Sequence, residues 1–476
     1  MPKDIKVNQN IIEMEYAIRG PIPQRAAEMA SQGMKTIFCN IGNPQALDQQ
    51  PLTFNRQIIS LLENPSLIKR ERKLKKILDN NSDFKEHDFF SEYVLNYAEK
   101  ILEALPSGLG AYTQSKGALF IREAIASFIN KRDRIAPSSN NVSDPEKIFI
   151  TNGAGDGAKY ILDLLISDKN DGVMIPIPQY PLYSATIRTC GACQVNYYPD
   201  EENGWTFSRE MLDNSLSSAK KKGVKVKCIV VINPGNPTGA VLDKKSISEV
   251  IEFAGENNLS IIADEVYQGN VYDGEFISFA RVLGNRDIPL FSLHSVSKGF
   301  IGECGHRGGY FEMRNTPQIK GAKHSFNELI LKQASVNLCS NTVGQIMVYL
   351  MVNPPMKNSE AYHQYILQKK AIIDSLYAKA LMIKKSFKEM EGVKCFGRIA
   401  AMYLFPRLSK LPTGTNDFDY CMSLLEETGL CTVNGSGFGQ KRGTSHLRIA
   451  FLPPKEQLAE VLPLWIKFHN EYVSKK

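Results

Sequence analysis

Short, nearly continuous apolar runs alternate with helical stretches between about residues 90 and 345. The clearest of these runs cover residues 147–150, 172–175, 228–232, 260–263 and 290–293. Uninterrupted apolar character is typical of strands that are buried on both faces of a sheet. Because helical stretches separate the runs, the pattern predicts a mostly parallel sheet with helices on its faces. The predicted fold class is therefore α/β.

The pattern is less regular on both sides of this region. Residues 19–23 predict an extended arm, since two prolines disfavour a helix there, and residues 37–44 predict a short strand that ends in a turn. The mixture of apolar and basic residues over 68–77 is typical of a surface helix. Residues 395–397 predict a short strand in the C-terminal part.

Chain length and these changes of pattern predict two domains. Residues 1–75 form an N-terminal arm and part of a small domain, residues 76–345 a large domain, and residues 346–476 the remainder of the small domain. Residues 80–87 are rich in Asn, Asp and Lys and are expected to be the least ordered part.

Composition excludes several classes of function. The chain has 476 residues, 43% hydrophobic and 22% charged, which is typical of a globular protein in water. Its net charge of +7, from 57 basic and 50 acidic residues, is too mild an excess to indicate nucleic acid as a partner. No apolar run has the length that crosses a membrane.

The nine cysteines are scattered without paired spacings that suit a metal ion, so no metal site is expected. An odd number of cysteines and an N-terminus without an apolar signal segment indicate reduced thiols. We therefore expect a cytoplasmic protein.

Three polar residues follow directly on apolar runs: Asn236, Asp264 and Lys298. In open α/β sheets, ligands bind beyond the carboxyl ends of the strands. The three side chains are therefore expected in one crevice.

Lys298 lies in Ser-Val-Ser-Lys-Gly, and a lysine in such a setting can hold an aldehyde cofactor covalently. Arg307 is nine residues further on and can bind a phosphate through two parallel hydrogen bonds. Ser295 and Ser297 would add hydroxyl groups. The glycine-rich residues 151–157 follow a predicted strand and precede a helical stretch, where backbone N–H groups bind anions. The alternative for that loop is an ordinary strand-to-helix turn.

The other groups suit the ring of pyridoxal phosphate. Asp264 would keep the ring nitrogen protonated, with a helix cap as the alternative. Asn236 and Tyr267 would donate to the ring oxygen, although Asn-Pro is also a common turn opener. Tyr180 would stack on the ring, and core packing is its alternative. Arg448 is charged within an apolar strand-like run, which favours a substrate carboxylate over a core salt bridge.

These motifs resemble the class I aminotransferases of fold type I, and within them the alanine subgroup. The likeness runs nearly from end to end and is carried by residues 15–21, 41–45, 176–183, 297–310, 336–339 and 435–440. The nine-residue spacing from Lys298 to Arg307 is a feature of the alanine subgroup. Gly155, Ser340–Thr342, Ser445 and Leu447 depart from the pattern of that subgroup.

The resemblance implies a large domain with a mostly parallel seven-stranded sheet, a smaller α+β domain, and a homodimer with shared sites. It implies that Lys298 binds pyridoxal 5′-phosphate and moves the proton, helped by Asp264 and Tyr267. The implied cofactor contacts are Ala154, Gly155, Tyr180, Asn236, Asp264, Tyr267, Ser295, Ser297, Lys298 and Arg307, with Tyr112 reaching the partner's phosphate. The implied substrate contacts are Arg448, Gly42 and Asn236.

The function implied first is amino transfer from L-alanine to 2-oxoglutarate. Glyoxylate as acceptor is a close alternative, and a lyase on the same scaffold is a more distant one. A transcription regulator with an aminotransferase-like sensor domain is a non-enzymatic alternative. It would need a helix-turn-helix, and the first 100 residues contain no clear one.

Overall fold

The computed structural model describes residues 5–14, 20–78, 90–319, 321 and 323–475. The helices in these residues are α1 (Gln9–Ile12), α2 (Pro21–Ser31), α3 (Thr53–Glu63), α4 (Ser66–Leu78), α5 (Glu92–Ala104), α6 (Leu119–Asp133), α7 (Ala154–Leu165), α8 (Leu182–Thr189), α9 (Arg209–Lys221), α10 (Lys244–Glu256), α11 (Phe279–Leu283), α12 (Phe326–Ser335), α13 (Thr342–Val352), α14 (Glu360–Ser386), α15 (Asp417–Thr428) and α16 (Lys455–Ser474). The strands are β1 (Ile37–Phe38), β2 (Ile148–Thr151), β3 (Asp171–Pro176), β4 (Cys193–Tyr197), β5 (Lys225–Ile232), β6 (Ser260–Asp264), β7 (Leu290–Ser295), β8 (Gly309–Arg314), β9 (Val393–Lys394), β10 (Tyr403–Leu404), β11 (Arg407–Leu408), β12 (Leu430–Cys431), β13 (Val433–Asn434) and β14 (Leu447–Ala450).

The central sheet has seven strands in the order β2-β8-β7-β6-β5-β3-β4. The pairs from β7 through β6, β5 and β3 to β4 are all parallel. Only β8 runs against its two neighbours, β2 and β7. The predicted α/β class, with a mostly parallel seven-stranded sheet, is confirmed.

The sheet is buried because successive side chains of a strand enter two different cores. In β5, Ile229 and Val231 pack in the core that also holds α9 and α10. Cys228 and Val230 point to the opposite face, in the core that contains α7 and α8. Each fully buried aliphatic side chain of this size contributes about 1.5–3 kcal/mol relative to an exposed one. The apolar runs therefore fix the sheet, and with it the edge at which the strands end.

Three small sheets complete the fold. β1 pairs in parallel with β12, where Ile37 lies opposite Leu430. β14 lies between β10 and β13 and is antiparallel to both. β9 pairs with β11. These short strands bring residues from the two ends of the chain to the same place.

The five predicted apolar strands are confirmed as β2, β3, β5, β6 and β7. Two strands of the sheet were not predicted. β4 is an edge strand with polar residues at alternate positions, and β8 contains Glu312 and Arg314, which form a buried ion pair at 2.8 Å. Neither strand therefore appears as an apolar run.

Two local predictions were wrong. The segment expected to be an extended arm begins helix α2 at Pro21. At the first helical position the backbone N–H has no partner within the helix, so proline, which has no N–H, costs nothing there, and its φ already suits a helix. The strand expected at residues 395–397 lies instead at Val393–Lys394, and Gly397 has a φ of 81°, which does not suit a strand. The predicted surface helix over 68–77 is confirmed by α4.

Two further predictions are not decided. The division of the chain at residues 75 and 345 stays a prediction, and residues 80–87 lie outside the described residues. In the part that the structure describes, no helix is long and apolar enough to cross a membrane.

Candidate active site

The candidate site lies at the carboxyl ends of the adjacent strands β5, β6 and β7. Asp264 is the last residue of β6, Asn236 follows the end of β5, and Lys298 follows the end of β7. The three side chains predicted to share a crevice are thus at one edge of the sheet, as strands of the same direction require.

The amine of Lys298 points towards the N-terminal segment. Its Nζ donates to the carbonyl oxygen of Gly42 at 2.9 Å and lies 5.8 Å from the centroid of the Tyr267 ring. The turn that presents Lys298 is held by Asn270, which is fully buried and accepts from the N–H of Gly299 at 2.7 Å. Gly299 has a φ of 67°, so a glycine suits this turn.

Asp264 is buried, and its carboxylate accepts from neutral donors. The Tyr183 hydroxyl donates to Oδ2 at 2.8 Å, and the N–H of Val266 approaches Oδ1 at 3.4 Å. Burial raises the pKa of Asp264, and these hydrogen bonds and the charge of Lys298 oppose that rise. A turn rather than a helix follows Asp264, so the alternative of a helix cap is not what the structure contains. A buried carboxylate of this kind is suited to a cationic ring nitrogen.

Polar contacts connect Asn236 to two tyrosines. Asn236 Nδ2 donates to the Tyr267 hydroxyl at 3.4 Å, and Tyr267 lies 3.4 Å from the Tyr403 hydroxyl, to which it donates. Burial and the neighbouring Tyr403 raise the pKa of Tyr267 well above its ordinary value. Burial alone would raise the pKa of Tyr403 too, but the charges of Lys298 and Arg448 and the hydrogen bond from Tyr267 lower it. Tyr267 is therefore the donor of the pair.

Arg448 on β14 is 1% exposed, yet it has no ion pair with any carboxylate of the described residues. Its guanidinium lies between the rings of Tyr403 and Phe438, at 4.1 and 4.6 Å from their centroids. Nη1 donates to Asn236 Oδ1 at 3.1 Å, and Nη2 donates to the carbonyl oxygen of Asn40. Nε has no hydrogen-bond partner in the structure. Among the described residues, Arg448 therefore forms no core salt bridge, which was the alternative. A buried cation with an unused N–H donor is suited to bind an anion.

A second anion site lies at the start of α7. Gly153 has a φ of 91°, and a Cβ there would lie 2.8 Å from Arg307 Nη2. A glycine is therefore needed for the guanidinium to reach the helix N-terminus, where Ala154 and Gly155 present their N–H groups. Arg307 is fixed by hydrogen bonds to the carbonyl oxygens of Asn152 and Cys304, both at 2.9 Å.

Ser295 lies near this helix end, because it is opposite Gly309, where a Cβ would lie 2.7 Å from the Ala154 nitrogen. The Ser295 hydroxyl donates to the carbonyl oxygen of Gly308 at 3.1 Å and accepts from the N–H of Ser297 at the same distance. At position 155, where the alanine subgroup was expected to have serine, a Cβ would be in ordinary contact with Leu182 at 3.5 Å. Lack of space for a Cβ is therefore not the reason that position 155 is a glycine.

Tyr180 and Tyr112 differ in their surroundings. Tyr180 is partly buried against the main core, and its neighbour Gln179 donates its N–H to the carbonyl oxygen of Phe438 at 2.9 Å. Tyr112 is 77% exposed and lies on the surface of the chain, and Arg307 is also exposed. A tyrosine that serves a partner subunit would have this exposure.

The sequence analysis missed four residues that shape the site: Asn40, Tyr183, Tyr403 and Phe438. Asn40 lies two residues after the end of β1, so the rule about strand ends could have identified it. Tyr183 and Phe438 lie within segments that carry the family resemblance, at residues 176–183 and 435–440, but no local rule separates them from core aromatic residues, and the same holds for Tyr403.

Comparison with known proteins identifies relatives over almost the whole chain. The family model described as aminotransferase class I and II matches residues 79–463. A probable mitochondrial alanine aminotransferase of Dictyostelium discoideum is 40% identical over 98% of this chain and 88% of its own length. Glutamate–glyoxylate aminotransferase 1 of Arabidopsis thaliana is also 40% identical, over 98% of this chain and 96% of its own. Among solved structures, an alanine aminotransferase of Pyrococcus furiosus has a TM-score of 0.77 at 26% identity, covering 98% of this chain and 100% of its own.

Proposed function

The chain belongs to the class I and II aminotransferases and is a pyridoxal-phosphate-dependent enzyme, and we propose that it transfers the amino group of L-alanine to 2-oxoglutarate. The products are pyruvate and L-glutamate, and the reaction is reversible. Both substrates use the same site in turn, which gives ping-pong kinetics.

One observation carries the proposal: the amine of Lys298 and the guanidinium of Arg448 both contact the short segment from Asn40 to Gly42. Lys298 donates to the carbonyl oxygen of Gly42, and Arg448 donates to that of Asn40. A substrate whose α-carboxylate binds Arg448 would therefore have its Cα near the amine of Lys298. Such a position would suit proton transfer at Cα.

The residues present fit pyridoxal phosphate. Its phosphate matches the N-terminus of α7 with Gly153, Arg307 and Ser295, and its ring nitrogen matches the buried carboxylate of Asp264. Asn236 and Tyr267 offer donors for the ring oxygen, and Tyr180 an aromatic face. When bound, pyridoxal phosphate supplies the electron sink that stabilises negative charge at the substrate Cα.

The protein groups have separate tasks in this proposal. Asp264 stabilises a positive charge on the ring nitrogen beside it, and Tyr267 stays protonated and donates to the ring oxygen. Lys298 accepts the proton from the substrate Cα and returns it, as a positioned general base and acid. Arg448 orients every substrate through the α-carboxylate that amino acids and 2-oxo acids share. Tyr403 and Gly42 close the space next to Lys298.

A second acceptor has specific support. The Arabidopsis relative, with the same identity as the Dictyostelium protein, is named for glutamate and glyoxylate. Glyoxylate carries the same α-carboxylate and no side chain, so Arg448 would bind it in the same way. The choice between the two acceptors depends on the wall of the pocket beyond Cα.

We further propose a homodimer and a cytoplasmic location. The exposure of Tyr112 supports a role across a subunit boundary. All nine cysteines are free thiols, which suits a reducing compartment. Sedimentation of the purified protein and fractionation of cells test these two points.

The decisive experiment measures single half-reactions of the purified, cofactor-loaded protein with a panel of amino acids, followed by absorbance. We expect L-alanine and L-glutamate to react fastest, and 2-oxoglutarate to restore the starting spectrum. Release of ammonia, or a clear preference for glyoxylate as acceptor, would contradict the proposal. The matched control is Lys298→Ala, which should retain some cofactor. Its turnover rate should fall by at least about 10²-fold, because general acid–base catalysis contributes ~10²–10⁴-fold to the rate.

A further inference from the structure

His446 is a buried histidine two residues before Arg448, and it lies outside the contacts assigned to cofactor or substrate. Its side chain is 3% exposed. Nε2 lies 3.0 Å from Glu201 Oε1, and Nδ1 lies 2.9 Å from Gln440 Oε1. Its ring also stacks on Phe405, with 4.8 Å between centroids and 5° between planes. His446 is thus held on three sides by partners that are far apart in sequence.

The orientation of the Gln440 amide is fixed by a third group. Gln440 Nε2 donates to Asp417 Oδ2 at 3.2 Å, so Oε1 is the atom that faces His446. Both ring nitrogens of His446 therefore face side-chain oxygens. Glu201 also pairs with Arg407 at 3.4 Å. A buried polar ring with a partner at each nitrogen fixes the geometry around it.

The contacts of His446 lead to Arg448 by two routes. Gln440 ends the turn that contains Phe438, and the Phe438 ring lies 4.6 Å from the Arg448 guanidinium. Phe405, on which His446 stacks, meets Phe438 edge-on at 6.1 Å. The turn has no room to relax, since a Cβ at Gly435 would lie 2.6 Å from the Cβ of His446.

We propose that His446 is a positioning residue for substrate binding, which it serves by holding the turn at residues 435–440 so that Phe438 fixes the Arg448 guanidinium. Glu201 lies in the turn that follows β4, so the contact between His446 and Glu201 connects the turn at residues 435–440 to the central sheet. The inference rests on the proposed role of Arg448, and it concerns every substrate with an α-carboxylate.

The test compares variants that remove one bond at a time. His446→Phe keeps a ring against Phe405 but has no donor, and we expect KM to rise about tenfold for L-alanine and by the same factor for 2-oxoglutarate. kcat should remain within about twofold, and cofactor content should not change. His446→Asn keeps a donor where Nδ1 stands, so its KM should stay within about threefold of the wild-type value. Gln440→Leu should match His446→Phe, and the double variant should be no worse than either.

His469 provides the matched control. It is also buried, between the Tyr420 hydroxyl at 2.8 Å and the carbonyl oxygen of Glu391 at 2.9 Å. His469→Asn should lower the melting temperature and leave KM unchanged. An unchanged KM in a folded His446→Phe protein, or an equal rise of KM in His446→Asn, would overturn the inference. Failure of the proposed function is a separate result: the wild-type protein would then not transfer the amino group of L-alanine, and the KM comparison would use the amino acid that it does accept.

Discussion

Replacing Gly42 with alanine tests the geometry of the site directly. A Cβ at this position would lie 1.8 Å from the Tyr403 hydroxyl oxygen, 3.0 Å from Tyr403 Cζ and 3.3 Å from Lys298 Nζ. To bring the first distance up to 3.0 Å, the hydroxyl and the methyl group must separate by 1.2 Å, the difference between those two values. The displaced atoms lie among the groups that we propose bind the substrate and move its proton.

A displacement of about 1 Å in a catalytic constellation costs roughly 10²-fold in rate. We therefore expect kcat/KM for L-alanine to fall about a hundredfold in Gly42→Ala, which corresponds to about 2.7 kcal/mol of transition-state stabilisation. In a Tyr403→Phe background the closest atom is Cζ at 3.0 Å. The same substitution should then cost about tenfold or less.

The assay is a double-mutant cycle on kcat/KM, with cofactor content and melting temperature recorded for all four proteins. The two sites should show a coupling energy of at least about 1.4 kcal/mol, the tenfold difference between the two backgrounds. If Gly42→Ala cost the same factor with and without the Tyr403 hydroxyl, the packing of these two residues would not be what makes glycine necessary.

Three other substitutions address charge. Asp264→Asn should slow both half-reactions about 10²–10³-fold, since it removes a preorganised charge beside the electron sink; normal rates in stopped-flow traces would leave Asp264 a purely structural residue. Arg448→Lys keeps the charge but loses the fork, so kcat/KM should fall about a hundredfold for alanine and for 2-oxoglutarate alike, whereas a loss for one substrate, or of melting temperature alone, would remove Arg448 from the site. Burial raises the pKa of the Glu265 carboxyl to about 8. A carboxyl whose pKa is higher in the folded state than in the unfolded state stabilises the folded state at low pH. That contribution is lost as the pH rises from about 4.5 through 8. Glu265→Gln should therefore flatten the decline of melting temperature over this range, and an unchanged slope in calorimetry would show that Glu265 does not titrate there.

The sequence predicted the part of the site that local rules determine. Asn236, Asp264 and Lys298 follow strands, and neighbouring parallel strands end at one edge, so their proximity needed no tertiary information. Arg448 was recognisable as a charge within an apolar strand. Tyr403 and Phe438 were not, because they flank Arg448 only after β14 has paired with β10 and β13. Contacts of that kind depend on the packed fold and leave little trace in the neighbouring sequence.

The pairing of β1 with β12 has a consequence for the order in which the enzyme matures. Ile37 and Phe38 lie opposite Leu430 and Cys431, and Asn40 and Gly42 lie two and four residues after the end of β1. Contacts between residues so distant along the chain form late, because the entropy of closing a long loop must be overcome first. During synthesis, the segment that touches Lys298 and Arg448 cannot take its place until β12 has left the ribosome. The seven strands of the central sheet are all made before then, but the contacts that join Asn40 and Gly42 to Arg448 and Lys298 form only once β12 and β14 are in place.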